Sequence, residues 1–197
     1  MKVEDGVAPC GAAKPKMLLH VCCAPCSAYV TSQLAQKYDL TLYFHNPNIH
    51  PRREYERRRG EAARWAAGEG IAFIEEEYRP EDWIAATKGM EKEPERGARC
   101  RVCFDIRLTK AAKKAKELGA TLFGTALSVS PHKDAVVING VGAGAGNSAG
   151  VGFLEADFKK KDGFKLSMKK ARDLGLYRQD YCGCVYSVRR KEEVEGL

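Results

Sequence analysis

The sequence predicts an α/β fold in which a mostly parallel sheet is flanked by helices and the C-terminal part is helical. Two observations predict it: short apolar segments alternate with longer segments of helix-forming residues, and Gly or Pro turn signals separate them. This alternation is typical of parallel sheets that are covered on both faces. A chain of 197 residues can form one sizeable core, so we expect a short flexible leader at 1–15 and a single domain at 16–197.

The first half of the chain is predicted to contain three strands and two helices. The apolar segment KMLLHV predicts the first strand, and Pro25 is compatible with the first turn of the helix that follows. Asn46 and Pro47 form a turn signal that ends the second strand, and Gly70 ends the second helix. The predicted ranges are strands at 16–21, 40–46 and 71–77 and helices at 25–38 and 51–70.

The second half continues the alternation toward a helical C terminus. A short helix is predicted at 80–90, a loop at 91–100, a long helix from about 99 to 118 and a fourth strand at 121–127. Glycine costs a helix about 1 kcal/mol relative to alanine, so the glycine-rich segment 140–150 is either a loop or a poor helix. The segment 164–193 has the pattern of a helix, a turn and a second helix.

The chain carries a net charge of +7, and much of the excess lies in two segments at 50–65 and 158–172. Such basic segments can attract a phosphate backbone, although two solvated helix faces would have the same composition. No apolar stretch approaches the roughly 20 residues that a membrane span needs. The first 16 residues do not resemble a secretory signal, so we expect a cytoplasmic protein without a membrane partner.

The eight cysteines fall into tight clusters, with Cys10 alone outside them. The clusters are CC-x-x-C at 22–26, C-x-x-C at 100–103 and C-x-C at 182–184. Adjacent residues point in different directions, and the composition favours a reducing compartment, so structural disulfides are not the expected use. Tight thiol clusters that are far apart in sequence indicate metal or redox chemistry.

The residues alone leave two kinds of metal site open. A structural zinc needs four thiolates, whereas seven thiols are clustered, so zinc explains the pattern only in part. An iron–sulfur cluster also uses four thiolates and leaves the others for a second metal or for redox work. Cys22 and Cys23 directly follow the first predicted strand, and the segment 128–133 directly follows the fourth. In a parallel sheet both positions lie at the rim where ligands bind.

The C-x-C motif is chemically distinct from the other two clusters. A disulfide between Cys182 and Cys184 would close a small strained ring, which is tolerated best when the residue between them is glycine, as Gly183 is. Strained disulfides are readily reduced, so the pair can pass two electrons. Two further metal ligands are the alternative interpretation.

Six segments together resemble epoxyqueuosine reductases of the QueH type. They run in order over residues 16–187 and read LLHVCCAPCS, YFHNPNIHPRREYERR, EPERGARCRVCFDIRL, SVSPHK, DFKKKDGF and LYRQDYCGCVYS. The resemblance implies a Rossmann-like fold related to the adenine-nucleotide hydrolases. It also implies an oxidoreductase that reduces epoxyqueuosine to queuosine in the anticodon of tRNA, with electrons from a donor that the sequence does not identify.

The resemblance assigns roles to most of the cysteines. Its implied ligands of a 4Fe-4S cluster are Cys22, Cys23, Cys100 and Cys103, and its implied redox-active disulfide joins Cys182 to Cys184. Cys26 is either a ligand of an additional mononuclear iron or a buried thiol. We expect Cys10, which lies outside the matched region, to be dispensable. The glycine-rich segment departs from the more charged helix that the family pattern leads us to expect there.

Opening an epoxide to leave an alkene takes two electrons and two protons. Asp105 is the first candidate for metal contact or proton delivery, with a surface carboxylate near Arg101 as the alternative. His132 could orient the substrate or donate a proton, although a histidine at a helix start is more often a capping residue. Candidates for tRNA contact lie in basic and aromatic stretches: Arg52, Arg53, Tyr55, Arg57, Lys161, Tyr177, Arg178 and Tyr181.

Two other functions compete with the reductase. One is a metal-free thiol–disulfide oxidoreductase that uses the C-x-x-C and C-x-C pairs, and the other is a zinc-stabilised RNA-binding module without catalysis. No G-x-x-x-x-G-K-[ST] loop is present, so the sequence does not indicate an ATP requirement.

Overall fold

A computed structural model describes residues 13–187 of the chain. They form a five-stranded sheet in which each neighbouring pair is parallel, in the order β3-β2-β1-β4-β5. This is the Rossmann strand order, so the predicted fold class is confirmed. The strands are β1 (Lys16–His20), β2 (Asp39–Phe44), β3 (Ala72–Glu75), β4 (Leu122–Thr125) and β5 (Gly152–Phe153).

Helices cover both faces of this sheet, because the side chains of each strand alternate between two cores. In β1, Met17 and Leu19 pack into the core under α1 and α2, whereas Leu18 packs into the core under α4 and α5. The strands are apolar on both sides for this reason. The helices are α1 (Ala24–Leu34), α2 (Arg52–Gly68), α3 (Pro80–Ala86), α4 (Ala98–Glu117), α5 (Ala135–Ala149) and α6 (Gly163–Asp173).

The glycine-rich segment is a helix, which settles the alternative that the sequence leaves open. Asp134 caps the N terminus of α5 by accepting from the backbone N–H groups of the next turn, and Gly150 ends the helix in a left-handed conformation. A side chain at Gly142 would clash with the Phe153 ring, and a Cβ at Gly146 would lie 2.6 Å from the Val151 carbonyl oxygen. The glycines therefore bring α5 close to β5, a two-residue strand that the sequence pattern does not predict.

The C-terminal part is helical only in its first portion. The first helix predicted after residue 163 is confirmed as α6, and residues 185–187 form one 3₁₀ turn. Between them the chain is irregular, with Gly175 and Gly183 at positive φ. The rest of the predicted second helix, most of the predicted leader and Cys10 lie outside the described residues. No helix within 13–187 is long and apolar enough to cross a membrane.

Candidate active site

The order of the strands reverses between β1 and β4, and a crevice opens at their carboxyl ends. Cys22 and Cys23 follow β1 after one intervening residue, and the segment 126–133 directly follows β4. Both segments therefore lie at the rim, as the sequence predicts. A crevice of this kind is the usual ligand site of an open parallel sheet.

The first thiol cluster lies at the N terminus of α1. Cys23 is the N-cap residue, and Cys22 and Cys23 are 7% and 1% exposed. Their Sγ atoms are 3.9 Å apart. Cys26 lies in the first turn of the helix and is half-buried. The free N–H groups and the positive end of the helix dipole favour a negative charge on these sulfurs.

The second thiol cluster lies at the N terminus of α4. Cys100 and Cys103 fall in the first two turns of this helix. The backbone N–H of Arg96 donates to Cys100 Sγ at 3.3 Å, and Arg107 Nη1 lies 4.0 Å from Cys103 Sγ. Donors that point at sulfur are the arrangement expected around thiolates that bind a metal.

The C-x-C pair has two unequal thiols, and neither forms a disulfide with a described cysteine. The S–H of Cys184 donates to Cys182 Sγ, and this hydrogen bond lowers the pKa of Cys182 well below its usual value and raises that of Cys184. The hydroxyl of Ser187 also donates to Cys182 Sγ, at 3.3 Å. Cys182 is therefore the favoured thiolate, which is the nucleophilic partner in thiol chemistry.

A buried arginine from α2 holds the C-x-C segment in place. The Arg58 side chain is 1% exposed and donates to the carbonyl oxygens of Tyr181 and Cys182 at 3.2 and 3.1 Å. Its charge is balanced by Glu54, 2.6 Å from Nε, and Glu54 accepts in turn from the Tyr177 hydroxyl. The segment is thus tied to the body of the fold by a fully partnered ion pair.

Two adjacent cavities lie between these clusters. The inner cavity, about 30 Å³, is lined by Cys100, Cys103, Cys182 and Cys184 with Trp83. The outer cavity, about 350 Å³, is lined by Cys22, Cys26 and Cys182, and its apolar wall includes Phe164 and Met168. Cys182 therefore lies between the two clusters that the resemblance implies for metal binding.

Two cations face the thiols without a carboxylate partner among the described residues. Lys133 is half-buried and lines both cavities. Burial lowers the pKa of Lys133, but the charges of Cys22, Cys182 and Cys26 outweigh this effect and raise it. Arg107 is 2% exposed, and its Nη2 donates to Asn46 Oδ1 at 2.6 Å. Neither cation forms an ion pair with a carboxylate within residues 13–187, although Glu95 also lines both cavities. Both cations can therefore stabilise negative charge on the sulfurs.

The cysteines predicted as ligands are protonated when they have no metal partner. Burial raises the pKa of Cys100 and of Cys103. The hydrogen bond to Cys23, followed by burial, raises the pKa of Cys22. For Cys23 the hydrogen bond from Cys22 lowers the pKa, but the contact with Cys26 and burial outweigh it and raise the pKa to about 12. Metal binding at these sulfurs must therefore displace protons.

No three His, Cys, Asp or Glu side chains within residues 13–187 are arranged to hold a single metal ion. The thiols are therefore spread along the crevice and are not grouped around one point. A 4Fe-4S cluster does not require its ligands to converge on one point, because each thiolate binds a different iron.

Asp105 and His132 occupy different positions relative to the thiols. His132 lines both cavities, beside Lys133. Asp105 is exposed and lines a separate surface pocket with His45 and Lys110. Residues two apart in a helix lie on different faces, so Cys103 points into the site and Asp105 away from it. The acid role of Asp105 stays a prediction.

The tRNA-contact candidates divide into exposed and buried residues. Tyr55 is 3% exposed, donates to Glu75 and stacks on Tyr78, so in this structure its ring has no free face for a base. The Arg57 guanidinium lies over the Tyr177 ring at 3.4 Å. Tyr181 is half-buried, and its hydroxyl donates to the His50 carbonyl oxygen. The remaining candidates are exposed: Arg52, Arg53, Lys161 and Arg178.

Sequence reasoning missed the residues that surround the thiols. Arg58 and Arg107 lie within stretches rich in basic residues, where one buried cation looks like its solvated neighbours. Lys133 belongs to the segment 128–133 that the sequence places at the rim, but nothing there shows that its side chain faces the thiols. The spacing of Glu54 and Arg58, four residues apart on a helix, was an available signal for an ion pair. Gln179 gave no signal, because nothing in the sequence connects it with Cys23.

Comparison with proteins of known sequence identifies the family. A family model described as epoxyqueuosine reductase QueH matches residues 17–190. The epoxyqueuosine reductase QueH of Streptococcus pyogenes serotype M1 is 44% identical over 182 residues, which cover 89% of this chain and 71% of that protein. The protein of that name from Thermotoga maritima is 33% identical over 180 residues, 90% of this chain and 92% of the relative.

Solved structures support the fold. The U34-tRNA thiolase NcsA from Methanococcus maripaludis, with its 4Fe-4S cluster, aligns with a TM-score of 0.58 at 16% identity over 90% of this chain and 63% of that chain. A predicted subunit of tRNA methyltransferase from Methanocaldococcus jannaschii aligns with a TM-score of 0.53 at 13% identity over 77% of this chain and 76% of the other. The fold is thus shared with tRNA-modification proteins. From the family match and the three thiol clusters at one crevice, we conclude that the chain belongs to the epoxyqueuosine reductase QueH family.

Proposed function

We propose that this protein reduces epoxyqueuosine to queuosine at the wobble position of tRNA, in the cytoplasm, with a 4Fe-4S cluster and a redox-active cysteine pair. The main support for this proposal is that Cys182 lines both cavities and so lies between the two clusters of candidate ligands. The family name supports the reaction, and the cluster-bearing thiolase of the same fold supports the cofactor.

The donor set fits such a cluster. Cys22, Cys23, Cys100 and Cys103 form no disulfide with another described cysteine, and both pairs lie at helix N termini. Four thiolates with a cluster form an anion, and Arg107 and Lys133 are cations without a described carboxylate partner. When bound, the cluster would supply electron transfer at low potential. An additional mononuclear iron at Cys26 stays a prediction without a described single-ion site to support it.

The chain's own residues can balance the reaction. Reduction of the epoxide breaks two C–O bonds, forms a C=C bond and releases the oxygen as water, which consumes two electrons and two protons. When Cys182 and Cys184 close to a disulfide, they release two electrons and the one proton of the Cys184 thiol. The second proton comes from solvent or from the Lys133 ammonium group, which lines the same cavities. A separate reductant must then return the pair to two thiols. Lys133 stabilises negative charge that develops on the leaving oxygen, because it lines the same cavities.

The proposal is tested by anaerobic reconstitution with iron and sulfide, followed by assay on tRNA that carries epoxyqueuosine, with nucleoside mass spectrometry as the readout. We expect visible absorbance and queuosine as the product. Cys103→Ser should lose the absorbance and the product, whereas Cys182→Ser should keep the absorbance and lose the product. Cys10→Ser is the matched control and should behave like the unchanged protein.

The same experiment separates the competing functions. A metal-free thiol–disulfide oxidoreductase would show no visible absorbance and form no queuosine, but it would reduce the disulfide of a small molecule or protein. A zinc-stabilised RNA-binding module would bind the tRNA and yield no queuosine under any condition. Asp105→Ala belongs in the series as well: a role in proton delivery requires a fall in turnover of about 100-fold or more at full iron content. Unchanged turnover would contradict that role.

A further inference from the structure

One polar atom of the Gln179 side-chain amide has a hydrogen-bond partner, and the other has none among the described residues. Its Nε2 donates to Cys23 Sγ at 3.1 Å. Its Oε1 is buried and has no hydrogen-bond partner among the described residues. The side chain lines the outer cavity together with Cys22 and Cys182. A buried acceptor without a donor is unfavourable, so the position favours a ligand that brings a donor.

The orientation of the amide follows from the chemistry of the sulfur. The oxygen and nitrogen of an amide are exchanged by a simple flip, and the hydrogen-bond network decides between the two orientations. A metal-bound thiolate has no S–H and can only accept, so the NH₂ group of Gln179 must face Cys23. The carbonyl oxygen is then the group left without a partner.

The outer cavity suits one extruded base with its side chain. Its volume of about 350 Å³ lies within the range of small-molecule sites. Phe164, Met168 and Pro25 provide an apolar wall, and bases of single-stranded loops bind against such surfaces. The ring that bears the epoxide carries hydroxyl groups and an ammonium group. Any of these can donate to an amide oxygen near the thiols.

We propose that Gln179 couples the cofactor to the substrate: its Nε2 donates to the cluster ligand Cys23, and its Oε1 accepts from a hydroxyl or ammonium hydrogen of the epoxide-bearing side chain. This inference rests on the proposed function. It makes one residue responsible for two measurable quantities, the reduction potential of the cluster and the preference for the modified tRNA.

Two variants separate the two halves of the amide. Gln179→Met keeps the length of the side chain and removes both the donor and the acceptor. Gln179→Glu keeps an acceptor toward the cavity and removes the donor to sulfur. Gln33→Met is the matched control, because Gln33 is exposed on α1. Iron content and circular dichroism establish that each protein is folded and loaded.

The first readout is the reduction potential of the loaded protein, measured by titration with a visible or paramagnetic signal. Hydrogen bonds to the sulfurs of a cluster favour its reduced form. The potential should therefore become more negative in both Gln179 variants and stay unchanged in Gln33→Met.

The second readout is the ratio of the Kd values for the same tRNA with guanosine and with epoxyqueuosine. A ratio cancels any general change in phosphate attraction. Gln179→Met should reduce the preference about 3- to 10-fold, the effect of one hydrogen bond, whereas Gln179→Glu and Gln33→Met should keep it. The proposal is overturned if Gln179→Met changes neither quantity, changes only one of them, or if Gln179→Glu loses the preference.

Failure of the proposed function would be visible in a different measurement. In that case the unchanged protein itself would take up no cluster or form no queuosine, before any variant is compared. A loaded and active protein with insensitive Gln179 variants would contradict this inference alone.

Discussion

At Gly183 the backbone of the C-x-C motif adopts a conformation that other residues avoid. Its φ is 108°, and a Cβ at this position would lie 2.8 Å from Ile49 Cγ1 and 3.2 Å from Arg58 Nη1. The Gly183 carbonyl oxygen also accepts from the His50 N–H at 2.8 Å. Glycine is therefore required here twice, for its conformation and for its lack of a side chain. The geometry of the two thiols depends on it.

We expect Gly183→Ala to lower the free energy of unfolding by about 1–3 kcal/mol and to shift the reduction potential of the Cys182–Cys184 pair. Denaturation in urea and equilibration in glutathione buffers measure the two effects. Gly175→Ala is the control, because Gly175 also has a positive φ but no atom lies within 4 Å of its would-be Cβ. Equal effects of the two substitutions would contradict the role of the Ile49 contact.

Arg58 connects the same motif with the core of the protein. Removing one partner of a buried ion pair leaves an uncompensated charge, at a cost of about 3–5 kcal/mol. We expect Arg58→Met to lower the free energy of unfolding by this amount and to increase the rate at which a thiol reagent modifies Cys182. Arg53→Met, on the same helix and exposed, should change stability by less than about 0.5 kcal/mol. If Arg58→Met changed neither the free energy of unfolding nor the rate of Cys182 modification, other contacts would be holding the C-x-C motif.

At the scale of elements, α5 shows how a sequence that is poor for a helix forms one. Its glycines are of two kinds. Gly142 and Gly146 face β5 and allow the helix to approach it, whereas Gly140 and Gly144 are exposed with open space where a Cβ would lie. Packing against the sheet therefore outweighs the conformational cost of the glycines on that face. Gly140 and Gly144, which are exposed, add only their conformational cost to the helix.

This division predicts opposite effects of the same substitution. Gly140→Ala and Gly144→Ala should each raise the free energy of unfolding by about 0.5–1 kcal/mol, since alanine is the better helix former and nothing obstructs its methyl group. Gly142→Ala should lower it, because the methyl group would meet the Phe153 ring. Thermal or urea unfolding of the three variants measures this. If all three changes had the same sign, the close approach of α5 to β5 would not be what determines stability.

At the scale of the whole molecule, the proposed function requires tRNA to reach one edge of the sheet. The net charge is +7, and the crevice lies at the carboxyl ends of the strands. Arg178 lies on the wall of the outer cavity and is exposed. Since α2 starts at this edge and runs toward the other, Arg64 near its end lies far from the crevice. Positive charge near the crevice should therefore contribute more to tRNA affinity than positive charge elsewhere.

We expect tRNA affinity to fall steeply with added salt, because contacts with phosphates release counterions. Arg178→Gln should reduce the slope of log Kd against log salt concentration by about 1, whereas Arg64→Gln should leave it unchanged. Filter binding over a series of salt concentrations gives both slopes. Binding that does not respond to salt would remove the electrostatic part of the proposal.

The sequence by itself determined the fold class, four of the five strands and the place of Cys22 and Cys23 at the rim. These follow from local patterns, because hydrophobic alternation and turn residues are written into consecutive positions. The spacing of the cysteines likewise pointed to metal or redox chemistry before any contact was known. A two-residue strand such as β5 has too few residues to show a period, and α5 contradicts its own local preference.

Only the tertiary structure decided how the thiols are surrounded. Arg58 and the Cys182 carbonyl oxygen are 124 positions apart in sequence, and Gln179 and Cys23 are 156 positions apart. Contacts over such separations depend on how the helices and the sheet pack together, which no local pattern encodes. The same packing placed Asp105 on the far side of α4 and buried Tyr55, although the sequence named both as candidate functional residues. Residue type and spacing identified the chemistry, and packing selected the residues that can take part in it.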